Sequence, residues 1–471
     1  MSNNESKNYK LGMIGLGTMG RNLLLNMADK GFAVTGYDKD RKMIAKLEEE
    51  GQKHQLEGFD NIDAFINSLQ TPRTLILLVP AGPIVDSVIS ELKPLLSKGD
   101  IIIDSGNSHF TDTNRRVDEL EKDGLHFFGM GISGGEEGAR FGPSMMPGGD
   151  KDAYNVVKDV FEAVAAKVGS DPCVTYIGPG ASGHFVKMVH NGIEYAIMEL
   201  IAEVYGILKN GLGYSNEQIY EVFKKWNEGK LKSFLLEITA EIFLYKDTVS
   251  SSDLVDQIKD EARSKGTGKW TSEVSMELQL PIPTINEAVS NRDLSKFKQL
   301  RVTLEAAFGE KKTATDINLD DLENAFYFAM ISAYAQGMHL LFQASKEYQY
   351  DLSLQEIAKI WRGGCIIRAK FLEDIYQAYD KNNLLEHLFG DDGVQHIIKD
   401  CLTGTRKTIT ACINAGIGVP AFASTLTYFD TITTARMPSN LIQAQRDFFG
   451  AHTFERIDQE GTFHADWNKL S

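Results

Sequence analysis

"YKLGMIGLGTMGRNLLLNMADKGFAVTGYDKD", running from Tyr9 to Asp40, reads as strand, glycine turn, helix and second strand. Gly15, Gly17 and Gly20 form a G-x-G-x-x-G spacing. The first glycine permits a tight turn, the second lets backbone approach a pyrophosphate, and the third lets the helix pack close to the strand. Leu16, Thr18 and Met19 complete the loop and the helix start, whose free N–H groups face an anion. Asp38 follows at the end of the second strand, about 20 residues on, where a carboxylate meets a ribose hydroxyl. Lys39 is its neighbour. The expectation is a dinucleotide site.

Working outward, "TLILLVP" (Thr74 to Pro80), "DIIIDSGNS" (Asp100 to Ser108) and "VTYIGP" (Val174 to Pro179) are further short β-branched runs between helix-like segments. Continuous apolar strands alternating with helices predict a parallel sheet covered on both faces, an α/β doubly wound domain of Rossmann type. Ligands then bind at the carboxyl ends of the strands, where Val79 and Asn107 lie. "GPGASG" (Gly178 to Gly183) punctuates the chain, and helical patterns dominate beyond it. The expected division is residues 1–183 for the dinucleotide domain, 184–440 for a large all-α domain, and 441–471 for a C-terminal tail. In the helical part "WNEGKLKSFLLEI" from Trp226 is echoed by "WRGGCIIRAKFLEDI" from Trp361, as two similar units of one scaffold would be. The tail loses helical periodicity after Gly450 yet carries Phe448, Phe449, Phe454, Phe463 and Trp467, which something must cover.

With 471 residues, 42% hydrophobic and 24% charged, the chain has the composition of a soluble globular protein with ample core. A net charge of -16 argues against a general nucleic-acid or membrane-surface binder, so an anionic ligand must be met by individual Lys and Arg side chains. No apolar run approaches a membrane span, the N-terminus lacks a signal core, and the four cysteines form no C-x-x-C pair. These features predict reduced thiols and a cytoplasmic location. No metal-ligand spacing occurs among the ten histidines, and Asp320 and Asp321 read as helix caps.

"KMVHNGIEYAIMEL" (Lys187 to Leu200) places Lys187, His190, Asn191 and Glu194 at i, i+3, i+4 and i+7, on roughly one stripe of a helix. The same face continues into Met198, Ile201 and Tyr205, whereas a solvated face would stay polar. The tetrad therefore reads as the lining of a cleft. Burial there lowers a lysine's pKa and raises a glutamate's, leaving one base and one acid usable near neutral pH. "GMGISGGEEGARFGPSMMPGG" (Gly129 to Gly149) reads as a glycine-rich ligand wall, in which Ser133, Gly134 and Gly135 offer a carboxylate a hydroxyl and bare N–H groups. Asn107 is either a turn former or a residue standing between nicotinamide and substrate. "SKGTGKWT", with Lys265 and Lys269, is either a phosphate-seeking loop or a solvated turn.

Together "GLGTMGRNL", "DSGNS", "GISGGEEGARFGPSMMPGG", "KMVHNGIEYAIMEL", "SKGTGKWT" and "LIQAQRDFFGAHTFER" resemble the decarboxylating 6-phosphogluconate dehydrogenases of the β-hydroxyacid dehydrogenase superfamily. The resemblance runs from about Leu11 to the tail. It implies that 6-phosphogluconate is oxidised at carbon 3, loses carbon 1 as carbon dioxide and leaves as ribulose 5-phosphate. It also implies Lys187 as general base and then acid, and Glu194 as the acid that protonates carbon 1 of the enediol. Asn107, Ser133, Gly134, Gly135, His190 and Asn191 would hold carboxylate and hydroxyls, and Tyr195, Lys265, Arg292, Arg446 and His452 the phosphate. The implied assembly is a homodimer with exchanged tails, and the implied cofactor a nicotinamide dinucleotide with no metal. The chain departs from the family at the cofactor: Asp38, Lys39 and Asp40 stand where NADP-using members carry Asn-Arg-Thr. That predicts a preference for NAD with some NADP use. Two rival readings, a non-decarboxylating β-hydroxyacid dehydrogenase and a dinucleotide sensor, leave Glu194 or the whole stripe without a task.

Overall fold

A computed structural model of the chain describes residues 8–309 and 317–467. The opening residues 1–7 and the last four of the tail, both included in the expected divisions, lie outside the described residues.

β1 (Leu11–Ile14), α1 (Thr18–Asp29) and β2 (Val34–Tyr37) form the unit expected from the glycine motif. They belong to a seven-stranded sheet with β3 (Leu56–Phe59), β4 (Thr74–Leu77), β5 (Ile101–Asp104), β6 (His126–Ser133) and β7 (Ser144–Gly149), in the order β3-β2-β1-β4-β5-β6-β7. All pairs are parallel except β6 with β7. The apolar runs alternate between two cores, as the two-residue period of a strand requires. Ile101, Ile103 and Ile76 join a cluster with Leu23, Leu24 and Met27 of α1. Ile102, Leu75 and Leu77 join one with Phe65, Ile89 and Leu120 on the opposite face.

One expectation for the sheet fails. Val174–Pro179 is no strand of this sheet: Val174 makes an isolated bridge to Met145, and the Ile177 N–H donates to the Pro147 carbonyl at 2.8 Å. The glycine-rich Gly129–Gly149 stretch, read as a ligand wall, is built of regular elements. It forms the end of β6, a short helix Gly135–Phe141 and β7, because the extended backbones of β6 and β7 pair with each other from Phe128↔Gly149 to Ser133↔Ser144.

From Ser182 the chain is a large helical body. Its longest members, Ser182–Gly206 and Leu319–Glu347, pack against each other. The second is capped by Asn318, whose side chain accepts the Asp320 and Asp321 N–H groups; the two aspartates occupy the first turn, where the helix dipole favours them, rather than the cap itself. The echoed segments meet: Ser233 and Ala369 form an antiparallel bridge, Phe234 N–H donates to Arg368 O at 3.0 Å, and Lys370 N–H to Lys232 O at 2.8 Å. Trp226 and Trp361, which open the two segments, are both buried. No helix among the described residues is long and apolar enough to cross a membrane, and all four cysteines are free and buried.

Candidate active site

The helix Ser182–Gly206 lies directly on β6 and β7 because glycines leave room for it. A Cβ on Gly131 would fall 2.3 Å from the Cβ of Lys187, and one on Gly183 2.3 Å from the Met146 carbonyl oxygen. This contact carries the polar stripe to the sheet's edge and encloses it. Lys187, His190 and Asn191 are buried, at 7%, 0% and 8% exposure, and Glu194 is half-buried.

His190 is the hub. Its Nδ1 lies 3.0 Å from Asn191 Oδ1, 3.4 Å from Lys187 Nζ and 3.9 Å from Glu194 Oε2. Its Nε2 lies 3.0 Å from Ser133 Oγ and 2.9 Å from Cys365 Sγ. With the Asn191 oxygen as acceptor, Nδ1 carries the ring proton and Nε2 accepts. Burial pushes the Lys187 amine below its ordinary pKa, against the opposing pull of Glu194 and Cys365. Burial raises the Glu194 carboxyl, opposed by Lys187 and Arg292. His190 is held well below its usual range by burial and by Lys187. Burial thus pushes each of the three groups toward its uncharged form, the form that costs least to bury.

Ser133 ends β6, and Gly134 and Gly135 follow with φ of 122° and 65°, a left-handed turn open to glycine. The Ile366 N–H donates to Ser133 Oγ at 3.2 Å. Cys365 and Ile366 were not singled out in the sequence. The signal for Cys365 lies in the echo, where it falls opposite Lys230, so the two copies diverge at the very residue that touches His190. Burial pushes the Cys365 thiol up to about 12, so it stays protonated.

A second wall holds Tyr195, over whose ring the Arg292 guanidinium stacks at 3.6 Å. The helix Thr267–Glu277 closes on the long helix here, with the Thr271 hydroxyl donating to the Met188 carbonyl at 2.9 Å. Lys265 is exposed, just before the left-handed Gly266 that starts this helix, and Lys269 pairs with Glu273. Arg446 and His452 are not gathered with the others: both are exposed, Arg446 donates to Gln443 Oε1 at 3.1 Å, and His452 rests against Phe449. Among the described residues neither hydrogen-bonds to the stripe or to Tyr195.

On the sheet, a Cβ on Gly20 would lie 2.0 Å from the Gly15 carbonyl oxygen, whereas one on Gly17 would meet nothing within 4 Å. Helix and strand thus touch at Gly20, and the space over Gly17, at the start of α1, is open to a ligand. Thr18 and Met19 begin α1. A cavity of about 270 Å³ beside it is lined by Gly15, Asp38, Lys39 and Val79. These residues fit a dinucleotide. Asp38 Oδ2 accepts the Leu16 N–H at 2.8 Å, which ties the acidic residue to the glycine turn. Asn107 is exposed at the carboxyl end of β5, in a turn built by the fully buried Asp104, which accepts the Gly106 N–H at 3.0 Å and the Ser108 hydroxyl at 2.6 Å.

Comparison with known proteins covers nearly the whole chain. Residues 183–467 match the family described as 6-phosphogluconate dehydrogenase, C-terminal domain, and residues 10–178 the NAD binding domain of 6-phosphogluconate dehydrogenase. The "6-phosphogluconate dehydrogenase, NADP(+)-dependent, decarboxylating" of Bacillus subtilis is 47% identical, over 98% of this chain and 99% of its own. The "6-phosphogluconate dehydrogenase, decarboxylating 1" of Spinacia oleracea is also 47% identical, over 98% of each. The solved structure of Plasmodium falciparum 6-phosphogluconate dehydrogenase, studied apo, with NADP+ and with 6-phosphogluconate, superposes with a TM-score of 0.95 at 45% identity, covering 97% of this chain and all of that one.

Proposed function

The chain belongs to the decarboxylating 6-phosphogluconate dehydrogenases, and from that premise we propose how its own residues divide the reaction that yields ribulose 5-phosphate, carbon dioxide and a reduced nicotinamide. The observation that carries the reading is the enclosed pair Lys187 and Glu194 on one helix, with the amine pushed toward its neutral form and the carboxyl toward its protonated one.

Lys187 takes the proton of the carbon 3 hydroxyl. The bound nicotinamide supplies the acceptor for the hydride that leaves carbon 3. Lys187 then returns its proton toward the new ketone oxygen, drawing electrons from the bond to the carboxylate, so carbon dioxide departs without a metal ion as electron sink. Glu194 protonates carbon 1 of the resulting enediol, formerly carbon 2 of the substrate, while Lys187 takes the proton of the adjacent hydroxyl, leaving the ketone of ribulose 5-phosphate. His190 and Asn191 orient the hydroxyls and Ser133, Gly134 and Gly135 receive the carboxylate, with Asn107 between substrate and nicotinamide. Tyr195, Lys265 and Arg292 form the near side of the phosphate pocket, and Arg446 and His452 of a second copy complete it. Residues 1–183 would carry the dinucleotide, 184–440 the substrate, and 441–471 the reach to the partner. Exposed Phe297, Leu300, Leu304 and Phe308, with Phe448 and Phe449 of the tail, supply apolar surface for such a homodimer. Four buried free thiols suit a reducing compartment such as the cytoplasm. Incubation with 6-phosphogluconate and either dinucleotide, following reduced nicotinamide and carbon dioxide together, tests the reading: the two must appear in equal amounts, and reduction without carbon dioxide would contradict it.

The residues that would hold the dinucleotide are Gly15 to Gly20, Asp38, Lys39, Val79 and Asn107. The Bacillus relative is NADP(+)-dependent by name, yet we assign this chain a preference for NAD. Asp38 places a carboxylate where a 2′-phosphate would be repelled. Of the three nearby cations that could offset it, Lys39 is paired with Glu91 at 3.0 Å and Arg41 with Asp60 at 2.6 Å. The expected kcat/KM is higher for NAD than for NADP, and Asp38→Asn should shift the ratio toward NADP by about tenfold or more, the scale of one charge interaction. A wild-type preference for NADP that Asp38→Asn leaves unchanged would show that Asp38 does not control the choice.

A further inference from the structure

The tail, which shows no regular pattern in sequence after Gly450, folds on itself around one carboxylate. After the helix Ser439–Gly450 the chain turns back and pairs Phe454 with Phe463 and Glu455 with Thr462 in a small antiparallel hairpin. Asp447 sits in that helix between exposed neighbours, Arg446 on one side and Phe448 and Phe449 on the other, yet is itself 0% exposed. Its two oxygens collect four donors. Oδ1 accepts the Thr453 N–H and the His464 ring N–H, both at 2.9 Å. Oδ2 accepts the Ala465 N–H at 3.1 Å and the Trp467 indole N–H at 2.8 Å. A carboxylate offers about four acceptor sites and no donor, so this set saturates it. These bonds hold the carboxyl far below its ordinary pKa.

The consequence falls on His452. It stands between Ala451 and Thr453, two non-glycine residues in the left-handed region at φ of 47° and 64°. Such conformations cost free energy and persist only where the surroundings impose them. Here the Thr453 N–H is held by Asp447, and the Thr453 carbonyl accepts from Gln443 Nε2 at 2.5 Å. Gln443 in turn accepts from Arg446. Arg446 and His452, with five residues between them, are thus locked to one frame.

We propose that Asp447 is a positioning residue for phosphate recognition: by clamping the returning tail it fixes Arg446 and His452 relative to each other before they enter the partner's site. This rests on the tail-exchange reading above. Pre-organised cations lose less freedom on binding a dianion than mobile ones, so the clamp acts on substrate affinity and not on the chemistry of Lys187.

The test compares Asp447→Asn, Trp467→Phe and Arg446→Ala in the full-length protein. Asn keeps the shape but turns one acceptor into a donor facing two N–H groups. The KM for 6-phosphogluconate should rise about tenfold or more, while kcat at saturation, the KM for dinucleotide and the sedimentation of the assembly stay as in the wild type. Trp467→Phe, which removes one donor and keeps an aromatic ring, should give a smaller rise of the same kind. An unchanged KM in Asp447→Asn while Arg446→Ala raises it overturns the positioning role alone. An unchanged KM in Arg446→Ala removes the tail-exchange reading and this inference with it. A parallel loss of kcat and of both KM values together with dissociation would mean that Asp447 only holds the tail's fold, which also overturns the proposal.

Discussion

Lys187→Met lowers kcat by about ten-thousand-fold, the upper end of what a positioned acid–base group contributes, while leaving dinucleotide affinity unchanged. The reasons are local. Lys187 Nζ faces His190 and Glu194 on the helical wall, whereas the glycine turn, Asp38 and Val79 that would hold the dinucleotide lie at β1, β2 and β4 and share no hydrogen bond with it. Methionine matches the lysine stem in length and apolar character, so the tight fit against Gly131 survives and the loss is that of the amine. In the proposed sequence the amine acts at every stage, removing a proton at oxidation, returning it at decarboxylation and taking the enediol hydroxyl proton at the end, so no other group rescues a later step. Steady-state rates and a dinucleotide titration by fluorescence check both halves. Turnover at the wild-type rate removes the mechanism, and lost dinucleotide binding moves Lys187 out of the substrate site.

Arg446→Ala produces the second large effect, on affinity. An arginine fork grips two phosphate oxygens, and truncating one partner of such an enclosed pair costs about 2–5 kcal/mol, so the KM for 6-phosphogluconate should rise about 30-fold or more. The informative form of the experiment mixes Arg446→Ala with Lys187→Met after dissociation and reassociation. If each tail serves its partner, a hybrid dimer carries one site with both defects and one with neither. Random reassociation makes half the dimers hybrid with half their sites intact, so at a 6-phosphogluconate concentration near the wild-type KM, where neither parent turns over appreciably, about a quarter of wild-type activity returns in a symmetric two-fold assembly. Recovery absent despite demonstrated subunit exchange would mean that Arg446 acts on its own chain.

The parts of this site that rest on one element were legible in the sequence. The glycine spacing reports on contacts between consecutive elements, seen in the 2.0 Å approach that a Cβ on Gly20 would make to Gly15. The Lys187 stripe is a matter of helical periodicity. What the sequence concealed depends on contacts between distant segments. β6 and β7 carry glycine, methionine and proline in place of β-branched alternation, and only their mutual pairing reveals them as strands. Val174–Pro179 has the β-branched composition but finds only a single bridge at the sheet's margin. Cys365 reaches His190 from 175 residues away. The tail's hairpin has strands of two residues each, too short for any period, and is organised by Asp447, which in sequence is one more charge on a helix.

The central claim, that one helix carries separate groups for oxidation and for protonation of the enediol, is tested most directly by the first turnover of Glu194→Gln with excess 6-phosphogluconate, followed in a stopped-flow instrument at the absorbance of reduced nicotinamide. The division of labour predicts a rapid burst of one equivalent per site, formed at close to the wild-type rate, and then a slow steady state limited by protonation of the enediol. Absence of a burst, with reduced nicotinamide appearing only at the slow steady-state rate, would place Glu194 in the oxidation step and contradict the account.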